Sequence, residues 1–311
     1  MELLEKISSG LMLSEIETRN YIKTIPRRYK VYTIKKRNSD ETRLIAHPSK
    51  QVKALQRAFL QYFKKNIPVH QNAYAYEKDK SIRDNAAKHS ENQYLLKMDF
   101  KNFFLSIKPL HFIALIKKHE IEMGENDEFI ISNLFFWKRR SDSPLRLSVG
   151  APSSPFISNA VMYFFDEAIS RTCDELQIVY TRYADDLTFS TNENGILFGI
   201  RDVVRSTLKS SGLSHIKINN DKTVFSSKKF NRHVTGVTIT NDSSLSLGRE
   251  RKRLIRAKLN RFKNNELNEK EILKLKGELG FAKFIEPLFL ARMAKKYGDD
   301  TIISIQKFNG L

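Results

Sequence analysis

The amino-acid sequence predicts an α+β fold, in which antiparallel strands and separate helices share one chain. Residues 29–34 and 42–46 alternate apolar and polar side chains, and Asn38-Ser39-Asp40 between them is typical of a hairpin turn. Within residues 49–65 the apolar side chains recur at the spacing of a helix. After Gly248 the chain becomes basic and helical. Together, these patterns predict a mixed chain with a separate helical segment at its end.

The remaining elements follow from the same patterns. Further helices are expected over residues 1–25, 109–120, 152–166 and 201–210, and further strands over residues 94–98, 178–183, 187–190 and 234–240. Proline is favoured in the first turn of a helix, so Pro152 and Pro155 favour a helix start there. His47-Pro48 is expected to stop the second hairpin strand, because proline lacks the backbone N–H that pairs with a neighbouring strand.

The charge balance narrows the kind of partner. The 311 residues contain 54 Lys+Arg against 35 Asp+Glu, a net charge of +19. So large an excess favours a polyanionic partner, although an anionic membrane surface or a merely basic soluble protein would fit it too. No apolar run approaches the roughly 18 residues of a membrane-spanning helix, and the first residues lack the layout of a signal peptide. Cys173 is the only cysteine, which leaves no internal disulfide or cysteine zinc cluster. We expect a cytoplasmic protein.

Three aspartates are candidates for a metal site. Asp185 and Asp186 share a tight turn between two apolar strands, where a divalent cation would offset the repulsion of adjacent carboxylates. By itself, such a pair is also common in plain hairpin turns. Asp99 follows a further apolar strand and supplies a third carboxylate, whether or not it also caps the next helix. Because hard oxygen ligands suit Mg²⁺, the three residues are candidates for binding that ion.

Six sequence blocks resemble those of reverse transcriptases, and of the retron subgroup in particular. The blocks are 85–89 (NAAKH), 97–104 (KMDFKNFF), 149–159 (VGAPSSPFISN), 183–186 (YADD), 219–223 (NNDKT) and 234–236 (VTG). The resemblance spans about residues 29–248, and the basic tail matches the position of the family's thumb. It implies a right-hand polymerase with fingers, an antiparallel-sheet palm and a helical thumb.

The resemblance also implies the domain boundaries. An N-terminal helical segment is expected at 1–25, fingers at 26–93, a palm at 94–247 with a fingers insertion near 110–147, and a basic helical thumb at 248–311.

Roles in catalysis follow from the resemblance residue by residue. Asp99, Asp185 and Asp186, with the backbone carbonyl of Phe100, would hold two Mg²⁺ ions for nucleotidyl transfer. The residues that would bind the incoming deoxynucleotide are Arg43, Phe104, Gly150 and Lys222.

Several of these positions also have a plainer interpretation. Phe104, five positions after Asp99, would exclude a 2′-hydroxyl by its bulk, or else be a core aromatic beside Phe103. Arg43 offers the fork of donors that suits phosphate, although a solvated strand arginine would look the same. Lys53 and Arg57 would contact template phosphates or form an exposed helix face.

The block at 149–159 departs from the family pattern in one place. Val149 stands where many reverse transcriptases have Gln. A backbone contact to the nucleotide is compatible with valine, but a side-chain amide contact is not.

A further set of residues is expected to bind RNA. The set comprises Asn85, His89, Val234, Thr235, Gly236, Arg249, Arg253 and Arg256. A basic helix is often only a solvated face, and His89 would serve equally as a structural group. Residues 234–236 read locally as a strand with a glycine at a close approach. The near absence of acids around the arginines favours phosphate contact.

The function implied is that of a bacterial retron reverse transcriptase. Such an enzyme makes branched multicopy single-stranded DNA from a structured noncoding RNA, initially primed from an RNA 2′-hydroxyl, within an antiphage defence system. Its partners would be the cognate RNA, the RNA–DNA product, deoxynucleotides and a separately encoded effector, with no membrane and no effector domain in this chain. The rival interpretations are another bacterial reverse transcriptase, such as the group II intron type, and a noncatalytic RNA-binding scaffold with a palm fold.

Overall fold

The computed structural model of the protein describes residues 3–35 and 40–310. The helices are α1 (Leu3–Leu11), α2 (Glu15–Thr24), α3 (Lys50–Asn66), α4 (Ile82–Lys88), α5 (Phe103–Ser106), α6 (Pro109–Lys118), α7 (Asp127–Phe135), α8 (Ser154–Val161), α9 (Tyr163–Glu175), α10 (Ile200–Ser210), α11 (Arg249–Lys263), α12 (Glu269–Ile285), α13 (Pro287–Tyr297) and α14 (Asp299–Lys307). The strands are β1 (Tyr29–Lys35), β2 (Thr42–Pro48), β3 (Tyr94–Lys101), β4 (Val179–Tyr183), β5 (Asp186–Thr191), β6 (Lys217–Ile218), β7 (Val224–Ser227), β8 (Arg232–Val234), β9 (Val237–Ile239) and β10 (Leu245–Ser246). Short 3₁₀ turns cover Ile25–Arg27, Ile196–Gly199 and Asn220–Lys222.

The described residues divide into two compact units. The first lies within Met1–Lys78, Met98–Leu187 and Phe198–Thr223, and the second within Asp79–Lys97, Thr188–Leu197 and Val224–Leu311. Strands β3 and β5 each contribute residues to both.

The N-terminal segment predicted to be helical contains two helices, α1 and α2. Met12 takes a left-handed backbone conformation with a φ of 56°, which ends α1. Ser14 then caps α2 in a capping box, in which its backbone N–H donates to Glu17 Oε2 at 2.9 Å. Local capping therefore divides a segment whose apolar pattern looked continuous.

The predicted hairpin is present as β1 and β2, which pair antiparallel from Tyr29 opposite Pro48 to Lys35 opposite Thr42. Pro48 is the last residue of β2, so the strand runs past the predicted stop at His47. The Asn38-Ser39 part of the predicted turn lies outside the described residues.

The sheet that carries the central strand has the order β4-β5-β3-β6, with Phe100 of β3 opposite Ile218 of β6. Strand β3 is longer than predicted, so Asp99 lies within the strand and does not cap a helix. The residue before α5 is Asn102, with a φ of 52° and no side-chain capping bond. The helix predicted over 152–166 is two helices, α8 and α9, which meet at Met162.

Aromatic packing fills the part of the first unit that lies under the hairpin. Phe63 of α3 contacts Phe112 of α6 and Phe135 of α7 edge-on, with ring centroids 5.3 and 5.8 Å apart. Gln56 is also fully buried there, and its amide donates to the carbonyl of Leu134 at 2.7 Å. A buried polar group needs such a partner, so α3 is fixed against α7 by packing and by a hydrogen bond.

In the second unit, β7 pairs antiparallel with the first half of β3, and a separate sheet has the order β10-β9-β8. Helices α11 to α14 pack on α4 and on this small sheet around one apolar core. The strand predicted over 234–240 is instead a hairpin. Thr235 (φ 47°) and Gly236 (φ 81°) form its two-residue turn, which requires positive φ at both positions. A Cβ on Gly236 would meet no atom within 4 Å, so the glycine serves the turn and not a close approach.

A search of the described helices finds none with the length and apolar character needed to cross a membrane.

Candidate active site

The acidic site forms where β3 passes the turn between β4 and β5. Asp99 in β3 is 8% exposed, Asp185 lies in the turn, and Asp186 begins β5. One carboxylate oxygen from each of the three residues lies within 4.8 Å of the others. The backbone N–H of Phe100 donates to the carbonyl of Asp185 at 3.0 Å, and Ala184 takes a φ of 57°. The left-handed alanine and this backbone bond together hold the turn beside the strand.

The electrostatics of the site reflect crowded negative charge. Burial, and then the nearby charge of Asp99, raises the pKa of Asp185 above its usual value. Lys222 donates to Asp99 Oδ2 at 2.9 Å. Burial lowers the pKa of Lys222, but the hydrogen bond and charge of Asp99 outweigh burial and raise it overall. Asn219 also holds Asp99, because its backbone N–H donates to the Asp99 carbonyl at 2.7 Å.

This donor set fits a divalent metal ion. Three carboxylates supply hard oxygen ligands, and one oxygen from each lies within 4.8 Å of the others. A cation among them would relieve the repulsion that raises the pKa of Asp185.

A cleft of about 980 Å³ in the first unit opens onto these carboxylates. It brings together predicted residues from six separate parts of the sequence. Among its lining residues are Arg43, Lys53, Arg57, Asp99, Phe104, Val149, Gly150, Asp185 and Lys222. The residues predicted to bind deoxynucleotide therefore share one cleft with Asp99, Phe100 and Asp185, while Asp186 lies outside its lining.

Gly150 has a structural reason to be glycine. Its φ is 127°, and an added Cβ would lie 3.1 Å from the Ala46 carbonyl oxygen and 3.4 Å from Cγ2 of Ile45. The adjacent Val149 carbonyl accepts a hydrogen bond from the Ala46 N–H at 3.0 Å. Strand β2 thus packs directly against the backbone of 149–150, and a side chain at 150 would push the two apart.

Besides Lys101 and Lys222, the arginine and lysine side chains of the cleft come from β2 and α3. Arg43 is exposed and lies opposite Ile34 in the hairpin. Lys53 donates to Nε2 of His47, which ties the start of α3 to β2. Arg57, one turn further along α3, is exposed.

The two adjacent phenylalanines have different surroundings. Phe103 is 2% exposed and stacks on Phe100, with ring centroids 5.8 Å apart. Phe104 is only half-buried and lines the cleft, with its ring edge-on to Phe103 at 5.5 Å. Phe103 is therefore the core aromatic of the pair, and Phe104 is the more exposed of the two in the cleft.

A buried ion pair under the metal-binding turn was not predicted. Arg182 and Asp166 are both fully buried, and Arg182 Nη2 donates to Asp166 Oδ2 at 2.6 Å. Arg182 Nη1 donates to the Ala184 carbonyl at 3.0 Å and to Oδ1 of Asn159 at 3.2 Å. The turn that carries Asp185 therefore rests on a satisfied charge network. The only sequence signal is an arginine and an aspartate within otherwise apolar segments.

The motifs at 85–89 and 234–236 meet in the second unit. Asn85 and His89 are fully buried, and Asn85 Nδ2 lies 3.5 Å from Oγ1 of Thr235. His89 Nδ1 is 2.7 Å from Oγ of Ser190. Burial, with a smaller effect of the Lys88 charge, lowers the pKa of His89 to about 3. Val234 is also fully buried, so this region exposes its turn rather than these side chains.

Helix α11 carries the predicted basic residues. Arg249, Arg253 and Arg256 are exposed and lie four and three positions apart, on one face. The opposite face buries Ile255 and Leu259 in the core of the second unit.

Asp99 of β3 lies beside Asp185 and Asp186 at the turn between β4 and β5, and arginine and lysine side chains line the adjacent cleft. This arrangement in an antiparallel sheet defines a nucleotidyl-transferring polymerase of the right-hand class. Residues 34–239 match the family described as reverse transcriptase (RNA-dependent DNA polymerase). The chain is 47% identical over 283 residues to the Retron Ec83 reverse transcriptase of Escherichia coli, covering 90% of each chain. It is 34% identical to the Retron Ec73 reverse transcriptase of the same organism, covering 82% of this chain and 83% of that one. The chain belongs to the retron-type reverse transcriptases, which are RNA-directed DNA polymerases.

Solved structures agree on the fold. Telomerase from Candida albicans, bound to a fragment of telomeric RNA, superposes with a TM-score of 0.52 at 12% identity and covers 94% of this chain. Apo telomerase from Candida tropicalis gives a TM-score of 0.51 at 13% identity and covers 91%. This chain spans 59% and 58% of those two telomerase chains. The right-hand α+β prediction is confirmed.

Proposed function

We propose that this chain is the polymerase of a bacterial retron, acting in the cytoplasm. It copies a structured noncoding RNA into branched multicopy single-stranded DNA, primed from an RNA 2′-hydroxyl, as part of an antiphage defence with a separately encoded effector. The observation that carries the catalytic part is the convergence of Asp99, Asp185 and Asp186 within 4.8 Å beside the cleft. Similarity to retron enzymes over 90% of the chain supports the remainder.

The three aspartates and the backbone carbonyl of Phe100 would hold two Mg²⁺ ions. When bound, such ions activate an attacking hydroxyl and neutralise the leaving pyrophosphate. The protein's own part is to hold the turn that carries Asp185 beside Asp99 of β3, and Arg182 supports that turn through the Ala184 carbonyl. Because positions are fixed before substrate arrives, little reorganisation is needed during the reaction.

The cleft residues would position the incoming deoxynucleotide. Arg43 would clamp the triphosphate through its fork of donors, and Lys222 would exchange its contact with Asp99 for one with phosphate. The bare backbone at Gly150 would allow the nucleotide a close approach. Phe104 would lie under the sugar and exclude a 2′-hydroxyl, which selects DNA as product.

The second unit would recognise the cognate RNA. Arg249, Arg253 and Arg256 would contact its phosphates. Thr235 and Gly236 would present the hairpin turn, while buried Asn85, His89 and Val234 fix the turn's position without touching RNA. The proposed domain boundaries remain those expected from the sequence: 1–25, fingers 26–93, palm 94–247 with the 110–147 insertion, and thumb 248–311.

Primer extension on an RNA template with Mg²⁺ tests the catalytic proposal. Wild type should extend the primer, and the double variant Asp185→Asn/Asp186→Asn should not, whereas the exposed control Asp202→Asn should behave as wild type. A wild type that extends no primer would favour the noncatalytic scaffold. A double variant that extends as well as wild type would refute the proposed site.

Sequencing the nucleic acid that copurifies with the protein tests the retron assignment. A covalently linked RNA–DNA species should be found, and its RNA should be one defined transcript. Copurification of random cellular RNA alone would contradict the assignment and favour another class of bacterial reverse transcriptase.

A further inference from the structure

Tyr76 is an exposed aromatic residue with an unusual backbone. Its φ is 68°, and its side chain is 54% exposed at the edge of the cleft that holds Asp99 and Asp185. Non-glycine residues at positive φ are mostly small or amide-bearing, and a bulky one there indicates strain that the surroundings impose. Within residues 3–35 and 40–310, no other aromatic residue has a positive φ. The sequence gives no local sign of this conformation.

The segment around Tyr76 is fixed on both sides. Before it, the N–H of Tyr74 donates to the Arg182 carbonyl at 2.8 Å, and the N–H of Arg182 donates to the Asn72 carbonyl at 2.8 Å. Directly before Tyr76, Nδ2 of Asn159 donates to the carbonyl of Ala75 at 2.8 Å, and the bond after Tyr76 comes from the same amide.

The side-chain amide of Asn159 also contacts the residue that follows Tyr76. Asn159 Nδ2 also donates to Oε1 of Glu77 at 3.0 Å, and its Oδ1 accepts from Arg182. Arg182 in turn holds the carbonyl of Ala184, next to Asp185. The strained residue is therefore fixed by the network that supports the metal-binding turn, which places its ring at a set distance from the acidic site.

The surroundings of the ring suit an uncharged contact. Burial, and then the charge of Asp185, raises the pKa of Tyr76, so the phenol is neutral in the physiological range. The cationic residues of the same cleft, such as Arg43 and Lys53, are available for phosphates. A rigid aromatic ring with few rotatable bonds offers a stacking surface instead, and every nucleobase has a face that can use it.

We propose that Tyr76 is a positioning residue whose ring packs against a nucleobase of the template strand in the cleft. The inference rests on the proposed polymerase function and adds a contact to it. The strained backbone places the ring in the cleft, and the Asn159–Arg182 network fixes the position of the ring relative to Asp185. Stacking is insensitive to base identity, as copying any template requires.

Fluorescence anisotropy with a labelled DNA primer on an RNA template tests this contact. Tyr76→Ala should weaken binding roughly 5- to 150-fold, which corresponds to a stacking contribution of about 1–3 kcal/mol. Tyr76→Phe keeps the ring and should bind as wild type. Phe198→Ala removes an aromatic that is 71% exposed in the same unit but outside the cleft lining, and should also bind as wild type.

Two further readouts separate stacking from a merely structural role. The slope of log Kd against log salt should be the same for Tyr76→Ala and wild type, since stacking releases no counterions. Templates with an abasic site, either opposite the incoming nucleotide or opposite the primer terminus, identify the base involved. At one of these positions, wild type and Tyr76→Ala should bind equally.

The outcomes are distinct from those of the proposed function. If wild type extends the primer but Tyr76→Ala binds it equally well, the stacking contact is wrong and the polymerase proposal stands. A reduced salt slope, or a difference that persists with both abasic templates, would also overturn it. Thermal unfolding should also show that Tyr76→Gly melts at the same temperature as Tyr76→Ala or at a higher one, because glycine relieves the strain at this φ.

Discussion

The two regions that carry sequence motifs differ in where they place their side chains. In the first unit, Phe104, Asp185 and Lys222 line an open cleft, although they come from distant parts of the chain. In the second unit, Asn85 and His89 are fully buried, and what is exposed is a turn. Both kinds of motif look alike in the sequence. We propose that the first kind of motif supplies reacting groups, while the second sets the geometry of a surface.

The buried ion pair between Asp166 and Arg182 should give the largest effect among the tests of this difference. Asp166→Ala leaves the charge of Arg182 buried and unpaired, which should cost about 3–5 kcal/mol in the free energy of unfolding. Denaturant unfolding measures the loss. Glu167→Ala, which removes an exposed ion pair from the same helix, should cost about 0–1 kcal/mol. Equal losses in the two variants would show that the network does not support the turn.

Phe104 tests whether the cleft itself selects the sugar. In Phe104→Ala, the ratio of kcat/KM for a ribonucleotide to that for the matching deoxynucleotide should rise roughly 10- to 200-fold, the range of packing-based discrimination. Steady-state incorporation of single nucleotides gives both values. An unchanged ratio would mean that Phe104 only packs against its neighbours and does not select the sugar. The proposed difference between the cleft residues and the buried motif would then be smaller.

His89 tests the buried motif of the second unit, and its expected effect is the smallest of the three. Its folded pKa of about 3 lies below the ordinary value of 6.5, so the unfolded chain binds the proton more readily between these values. The stability that His89 contributes is therefore present above about pH 6.5 and is lost as the pH falls towards 3.

Urea unfolding of wild type and His89→Gln at pH 7 and pH 5.5 isolates this contribution from the other histidines. The stability difference between the two proteins should shrink by about 1 kcal/mol at the lower pH. A difference that does not change with pH would mean that His89 is not held neutral by burial.

The sequence was sufficient for the acidic site and insufficient for its supports. Asp99, Asp185 and Asp186 could be grouped because each lies beside an apolar strand, and adjacent strands bring such positions together. Tyr76 could not be found, because a positive φ at tyrosine is imposed by tertiary hydrogen bonds from Asn159. Arg182 gave no sign of its partner, since ion pairs between distant residues leave no local pattern.

The same limit explains the errors in the secondary structure. Residues 234–240 look like one strand because Val234 and Val237 are both buried, yet Thr235 and Gly236 reverse the chain between them. No sequence pattern predicts the contact of Thr235 with Asn85, because the two residues are 150 positions apart. Periodicity predicts which residues are buried, but it does not predict where a buried segment turns.

Manganese binding, followed by electron paramagnetic resonance, tests the central claim most directly. Mn²⁺ reports on the proposed Mg²⁺ site without requiring turnover. Wild type with a deoxynucleotide and a template whose primer ends in a dideoxynucleotide should bind two ions saturably, and Asp185→Asn/Asp186→Asn should lose that binding while remaining folded. Equal Mn²⁺ binding by the double variant and wild type would contradict the assignment of the metal site to these aspartates.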